Sequence, residues 1–127
     1  MRLVCDPIYG EVDLTASAEE LNRLASAVRA GEGLLSSTAA PGSDDLAGVE
    51  VRKDGGPGAG VHLDASRQVL VISGDRVARA ALADNLRAMA AAEDGGHLHI
   101  DYFPDHPYLV AGSMSLVVNS PHGGMPA

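Results

Sequence analysis

Two stretches of the chain run through the same order of signals: a short apolar strand pattern, a capping residue, a helix-length amphipathic run, then glycine. They are "VDLTASAEELNRLASAVRAGEG" and "VISGDRVARAALADNLRAMAAAEDGG". Each helix must bury its apolar stripe against strands supplied by the rest of the chain, and because short turns join most of those strands the expected class is α+β. In the first run Leu21, Leu24, Ala25 and Val28 share one helical face. Ser17 with Glu20 makes a capping box, Gly31 suits the left-handed residue after the helix, and Glu19 can pair with Arg23 one turn on. In the second run Asp75 is the expected cap and Gly95 the expected stop. Its buried face is expected to carry Ala78, Ala81, Leu82, Leu86 and Met89, with Arg76, Arg79 and Arg87 opposite. Asn85 falls inside that apolar face and needs a hydrogen-bond partner there, either a loop carbonyl or a group in the histidine-rich segment it would fix. The two runs share order rather than residues, so they permit a two-fold arrangement inside one sheet without requiring it.

Strands fill the remainder. "RLVCD" and "EVDLT" flank a turn containing Pro7 and Gly10. "VEVRK" alternates, with Val49 and Val51 inward. "DGGPGAG" should turn a hairpin into "VHLD", and "QVLVISG" is apolar on both parities, as in a covered central strand. "HLHIDYF" and "MSLVVNS" are the last two strands, while residues 31–48 read as a long mobile loop. The expectation is a single domain over residues 1–120 with a flexible tail at 121–127. It is a mainly antiparallel sheet of about six to seven strands with two helices packed on one face. With no Trp and one Phe the core must be aliphatic.

Charge narrows the partners. There are 17 acids against 9 bases, and residues 88–127 hold no Lys or Arg, so the basic stripe of a nucleic-acid binder is missing. No apolar run approaches the ~20 residues that span a bilayer, and the start of the sequence lacks the pattern of a signal peptide. The single Cys5 rules out an internal disulfide. A cytoplasmic location is expected, with no membrane and no nucleic-acid partner.

The segment Gly95–Gly112 concentrates three of the five histidines and three of the four aromatic residues. On a strand, His97, His99 and Asp101 share one face, and Leu98, Ile100 and Tyr102 the other. The polar set should line an open face of the sheet, joined by His62, Asp64, Glu50 and Arg52. One use of that face is metal binding through His97, His99 and Asp101, with Asp105, His106 and His122 as further ligands. The other is protein recognition. Tyr102, Phe103 and Tyr108 offer aromatic anchors, Pro104 and Pro107 restrict the loop, and Asp101 and Asp105 carry charge for a basic partner. The sequence has no nucleophile elbow, Cys–His pair or phosphate loop, so a binding protein with no cofactor is expected before an enzyme. A homodimer packed through the open face is the third reading.

The strand "HLHID" running into "YFPDHPYLVAGSMSLVV", together with the preceding helix "ALADNLRAMAAAEDGG", resembles the bacterial polymorphic-toxin immunity proteins of immunity protein family 32 over roughly residues 70–120. The resemblance implies a small cytoplasmic protein that neutralises a toxin by binding it, and carries over no established site residues. The candidate partner-binding residues are therefore those read from the segment itself: His97, His99, Asp101, Tyr102, Asp105, His106 and Tyr108.

Overall fold

A computed structural model describes residues 1–127 except 7, 9, 39–43, 54–56, 93–95 and 120–127. Its elements are β1 (Arg2–Asp6), β2 (Glu11–Thr15), α1 (Ala18–Ala30), β3 (Glu32–Ser36), β4 (Gly48–Arg52), β5 (Ala59–Asp64), β6 (Val69–Gly74), α2 (Arg76–Ala91), β7 (His97–Ile100) and β8 (Ser115–Asn119). The α+β expectation holds, with eight strands in place of six to seven. They form two mixed sheets: sheet I in the order β1-β2-β8-β7, and sheet II in the order β3-β4-β6-β5. Each sheet joins two antiparallel pairs through one parallel contact, β2 with β8 and β4 with β6.

The two helical runs are structural counterparts. A shift of 58 residues takes the cap Ser17 to Asp75, and the buried Leu24, Ala25 and Val28 to Leu82, Ala83 and Leu86. The same shift takes the inward Val12 and Leu14 of β2 to Leu70 and Ile72 of β6. Each half is thus a ββαββ unit. The two-fold that the runs permit lies between two sheets rather than inside one, because each sheet takes its first pair of strands from one half and its second from the other. The helices lie against each other and pack on sheet II and on β8. One hydrophobic cluster unites both sheets and both helices, centred on aliphatic residues such as Leu3, Leu14, Leu21, Leu70, Leu82 and Leu116.

Helix α1 follows its sequence closely. Ser17 and Glu20 form the full capping box, and Gly31 adopts φ 85° with its N–H donating to the Ala27 carbonyl at 2.8 Å. Arg23 meets Glu19 at 2.7 Å. Helix α2 departs from expectation at Arg79. It is not on the wet side but 5% exposed, at the position where α1 buries Leu21. Its Nε donates to the Gly74 carbonyl at 2.9 Å, and its Nη1 to the carbonyls of Val28 and Arg29 at 3.0 and 2.9 Å. These last two carbonyls belong to the unpaired end of α1, so the guanidinium caps the neighbouring helix where a cation is favoured. Gly31 makes room for it, since a Cβ there would lie 2.5 Å from Arg79 Nη1. Ala81 is only half-buried, whereas Ala83 and Ala90 join the buried face.

Three other expectations are corrected. The run 31–48 contains strand β3, paired to β4 from Glu32 opposite Arg52 to Ser36 opposite Gly48. An edge strand needs no alternation, so its mixed small and apolar residues concealed it. "DGGPGAG" does not turn a hairpin: β4 pairs in parallel with β6, and β5 lies on the far side of β6. Helix α2 stops at Ala91, with Ala92 extended at ψ 123°, ahead of Gly95. Gly95, Pro7, residues 54–56 and the tail 121–127 lie outside the described residues.

Candidate recognition surface

Strand β7 is the outer strand of sheet I, and its alternation is as expected. His97 and His99 are exposed, Ile100 is buried, and Leu98 is half-buried against the core. The strand ends at Ile100, so Tyr102 does not continue its inner face but stands 39% exposed. His97 Nδ1 meets Asn119 Oδ1 at 3.1 Å. The same amide donates through Nδ2 to Asp13 Oδ1 (2.5 Å), Thr15 Oγ1 (3.1 Å) and the Leu14 carbonyl (3.3 Å). One side chain thus ties three adjacent strands on the open face. Asp6, Glu11 and Asp13 share that face, where among the described residues the one Lys or Arg on the strands is Arg2, paired with Asp45 at 3.0 Å. Asn119 and Asp13 escaped the sequence reading, since nothing local shows that β2 lies beside β8.

His62, Asp64, Glu50 and Arg52 do not join this face; they lie on sheet II. There Arg67, also missed, bridges Glu50 and Asp64 at 2.8 Å each, and Arg52 reaches Glu50 at 2.6 Å. The Arg67 guanidinium, helped by the Ser66 hydroxyl, holds the Asp64 carboxyl down to about 2. An open depression bordered by Arg52, His62, Asp64 and Ser73 sits over these residues. Its charges are already paired within the sheet.

Beyond Ile100 the chain makes a propped loop. The His106 N–H donates to the Phe103 carbonyl at 3.0 Å, closing a turn in which Asp105 takes the left-handed conformation (φ 68°), which Asp tolerates better than most residues. The His106 Nδ1 accepts the N–H groups of both Tyr108 (3.1 Å) and Leu109 (2.9 Å), so a neutral ring carries its proton on Nε2. Phe103, His106 and Tyr108 then follow ring on ring, each pair of centroids 4.7 Å apart. At the inner end, Asn85 Nδ2 of α2 donates to the Tyr108 hydroxyl at 2.5 Å. Burial pushes the Tyr108 phenol above its ordinary value, with the Asn85 hydrogen bond pulling partly the other way. Asn85 is therefore satisfied by the histidine-rich segment and not by a loop carbonyl. The loop also anchors to sheet II, where the Ala59 N–H donates to the Tyr108 carbonyl (2.7 Å) and the Val110 N–H to the Ala59 carbonyl (2.9 Å).

The candidate residues thus divide by placement. Asp101, Tyr102 and Asp105 are exposed, as is Phe103 at 52%. His106 and Tyr108 are half-buried behind them, and His97 and His99 stand on the neighbouring strand. A pair of exposed aromatics on a turn fixed from three sides presents contact area with little order left to lose on binding. The His97 and His99 rings meet edge-on with centroids 5.9 Å apart. Among the described residues no group of three His, Cys, Asp or Glu side chains is placed to hold a metal ion, and His122 lies outside them. Burial, then the charges of Asp44 and Asp6, raise the Cys5 thiol above its ordinary value, so it stays protonated. Among the described residues no helix is long and apolar enough to cross a membrane.

The described part of the matched region starts at β6, includes α2 with Asn85, passes through β7 and the propped loop, and ends on β8. Residues 69–121 match Immunity protein 32. The resemblance to immunity protein family 32 therefore holds over a little under half of the chain, and that portion contains the exposed aromatic turn together with the helix that supports it. The Immunity protein 32 match leaves out the first ββα run and the partner strands β2 and β4. No curated protein and no solved structure matches the chain.

Proposed function

We propose that this protein is a cytoplasmic immunity protein that neutralises a cognate toxin by direct binding, using the turn Asp101–Asp105 as its central contact. The observation that carries the reading is the coincidence of the Immunity protein 32 match with the exposed aromatic turn and its supports. Tyr102 and Phe103 supply the apolar anchors, while His106, Tyr108 and Asn85 hold them in place from behind. Asp101 and Asp105, with Asp6, Glu11 and Asp13 on the adjoining face, favour a basic toxin surface.

Co-expression with a candidate toxin from a neighbouring gene tests the proposal. The chain should restore growth and co-purify with the toxin. Truncating both anchors, Tyr102→Ala with Phe103→Ala, should weaken the complex by about 2 kcal/mol or more while leaving the urea midpoint of the free protein unchanged. No protection by the wild-type chain, or full-strength binding by the double variant, refutes it.

A further inference from the structure

The two sheets end in four outer strands: β1 and β7 in sheet I, β5 and β3 in sheet II. The molecule covers two of them with its own backbone. The Cys5 N–H donates to the Asp44 carbonyl and the Leu46 N–H to the Leu3 carbonyl, which masks β1. The Tyr108–Val110 stretch masks β5 in the same way. Among the described residues no further backbone segment pairs with β7 or β3. Strand β7 is four residues long and shows water two imidazoles. Strand β3 is five residues, has no Pro or Lys, and presents Leu34 at 68% exposure. The positions correspond: His99 lies opposite Val117, Leu34 opposite Glu50, and the half-by-half correspondence takes one pair to the other. The fold thus shows a leucine on one edge where it shows a histidine on the other. Free edges in native sheets usually carry charge, proline or a bulge against pairing, and β3 has only Glu32 at one end.

We propose that β3 is where a second copy of this chain pairs, antiparallel, across a two-fold axis at Leu34. Strand "EGLLS" is self-complementary in that register: Leu34 meets Leu34, Gly33 meets Leu35, and Glu32 meets Ser36, so no like charges are opposed. A groove of about 560 Å³ runs beside β3, between it and α1, and is bordered by Arg23, Leu34 and Ser36. The register brings Glu32 of the second copy to the Ser36 end, next to Arg23, where it would share the guanidinium with Glu19, already 2.7 Å away. Glu20, the other charge in the groove, is already matched by the Met1 amino group at 2.6 Å. Pairing produces one continuous eight-stranded sheet from two copies of sheet II. The aromatic turn stays free, since its anchor on β5 lies three strand spacings from β3, roughly 14 Å across the sheet.

Sedimentation of the untagged chain between about 1 μM and 1 mM tests the assignment, a range that brackets ordinary weak association. The wild type should show a concentration-dependent dimer. Leu34→Lys, at an exposed site, should raise the dissociation constant at least about tenfold with an unchanged urea midpoint. Arg23→Glu should also weaken the dimer, and adding Glu32→Arg should restore it. A wild type that is monomeric throughout, or a dimer indifferent to Leu34→Lys, overturns the proposal. Toxin protection provides a separate readout, and Leu34→Lys should retain it. A monomeric wild type whose Leu34→Lys variant loses protection means that the edge takes the toxin and not a second copy.

Discussion

Removing the Arg79 side chain should be among the most damaging single changes outside the aliphatic core. The guanidinium makes three hydrogen bonds to backbone carbonyls, one to Gly74 and two, shared by Nη1, to Val28 and Arg29. Counting the shared pair as one leaves two independent charge-assisted bonds, each contributing about 1.5–2 kcal/mol. Arg79→Ala should therefore cost about 3–4 kcal/mol, because the carbonyls at the end of α1 stay out of water with no donor and a cavity opens beside them. Arg79→Leu copies the residue at the equivalent place in α1, restores most of the volume, and should still cost about 2–3 kcal/mol, which separates the lost donors from the lost packing. Urea unfolding followed by circular dichroism gives the number directly. With a slope of about 1.5 kcal/mol per molar, the alanine variant should shift the midpoint down by about 2 M. Arg87→Ala, which removes a contact to Ser26 at 3.0 Å on the outer side, is the control and should move stability by about 0.5 kcal/mol or less. If Arg79→Leu proves as stable as the wild type, the guanidinium is not serving as the cap of α1.

Asn85→Ala and Tyr108→Phe should each cost about 1 kcal/mol, and the double variant should cost less than their sum by about 0.5–1 kcal/mol, since they remove the same hydrogen bond; a strictly additive pair in urea melts contradicts the prop. Gly31→Ala should lose about 2 kcal/mol or more, because a side chain at φ 85° is strained and would also meet Arg79 Nη1 and Lys53 Cβ at 2.5 and 2.6 Å; an unchanged midpoint refutes it. Asp75 accepts from the N–H groups of Ala78 and Gly58, which hold its carboxyl below the ordinary 3.8. Its stabilisation is whole above the unfolded-state value and fades as pH falls through the lower folded-state value, so Asp75→Asn should flatten the acid limb of the stability-versus-pH curve and leave its slope near neutrality alone.

What the sequence disclosed was what depends on near neighbours. The capping box at Ser17, the left-handed Gly31, the apolar face of α1 and the covered strand at Val69–Gly74 are all set within a few residues, and the structure has them as read. The exposed pair His97 and His99 follows from strand alternation alone. What remained hidden depends on pairings between distant segments. Arg79 reads as a solvated base until the end of α1 is placed against it. β3 reads as loop because "EGLLS", with a glycine and two adjacent leucines, lacks the alternation that the outer strand β7 keeps. His62 and Asp64 read as neighbours of His97 and His99 because one sheet is expected, and only the strand orders of the two sheets separate them. Asn85 was the one long-range signal visible in advance: an amide in an apolar stripe demands a partner, and Tyr108 is that partner.

The exchange of strand pairs between the two sheets has a consequence for how this chain can be cut and how it must fold. Neither ββαββ half owns a complete sheet. Expressed alone, residues 59–127 would present β6 and β8 as bare inner strands, each stripped of the parallel neighbour that covers it. The Immunity protein 32 region, residues 69–121, lacks the same two parallel neighbours and β5 as well. Both parallel seams close across long spans of chain, Asp13 to Val117 in one and Glu50 to Val71 in the other, with the first much the longer. Such distant closures form late and slowly. A nascent chain therefore holds sheet I open until its last strand emerges, and two separately made halves, if mixed, have each other's missing strands to bind.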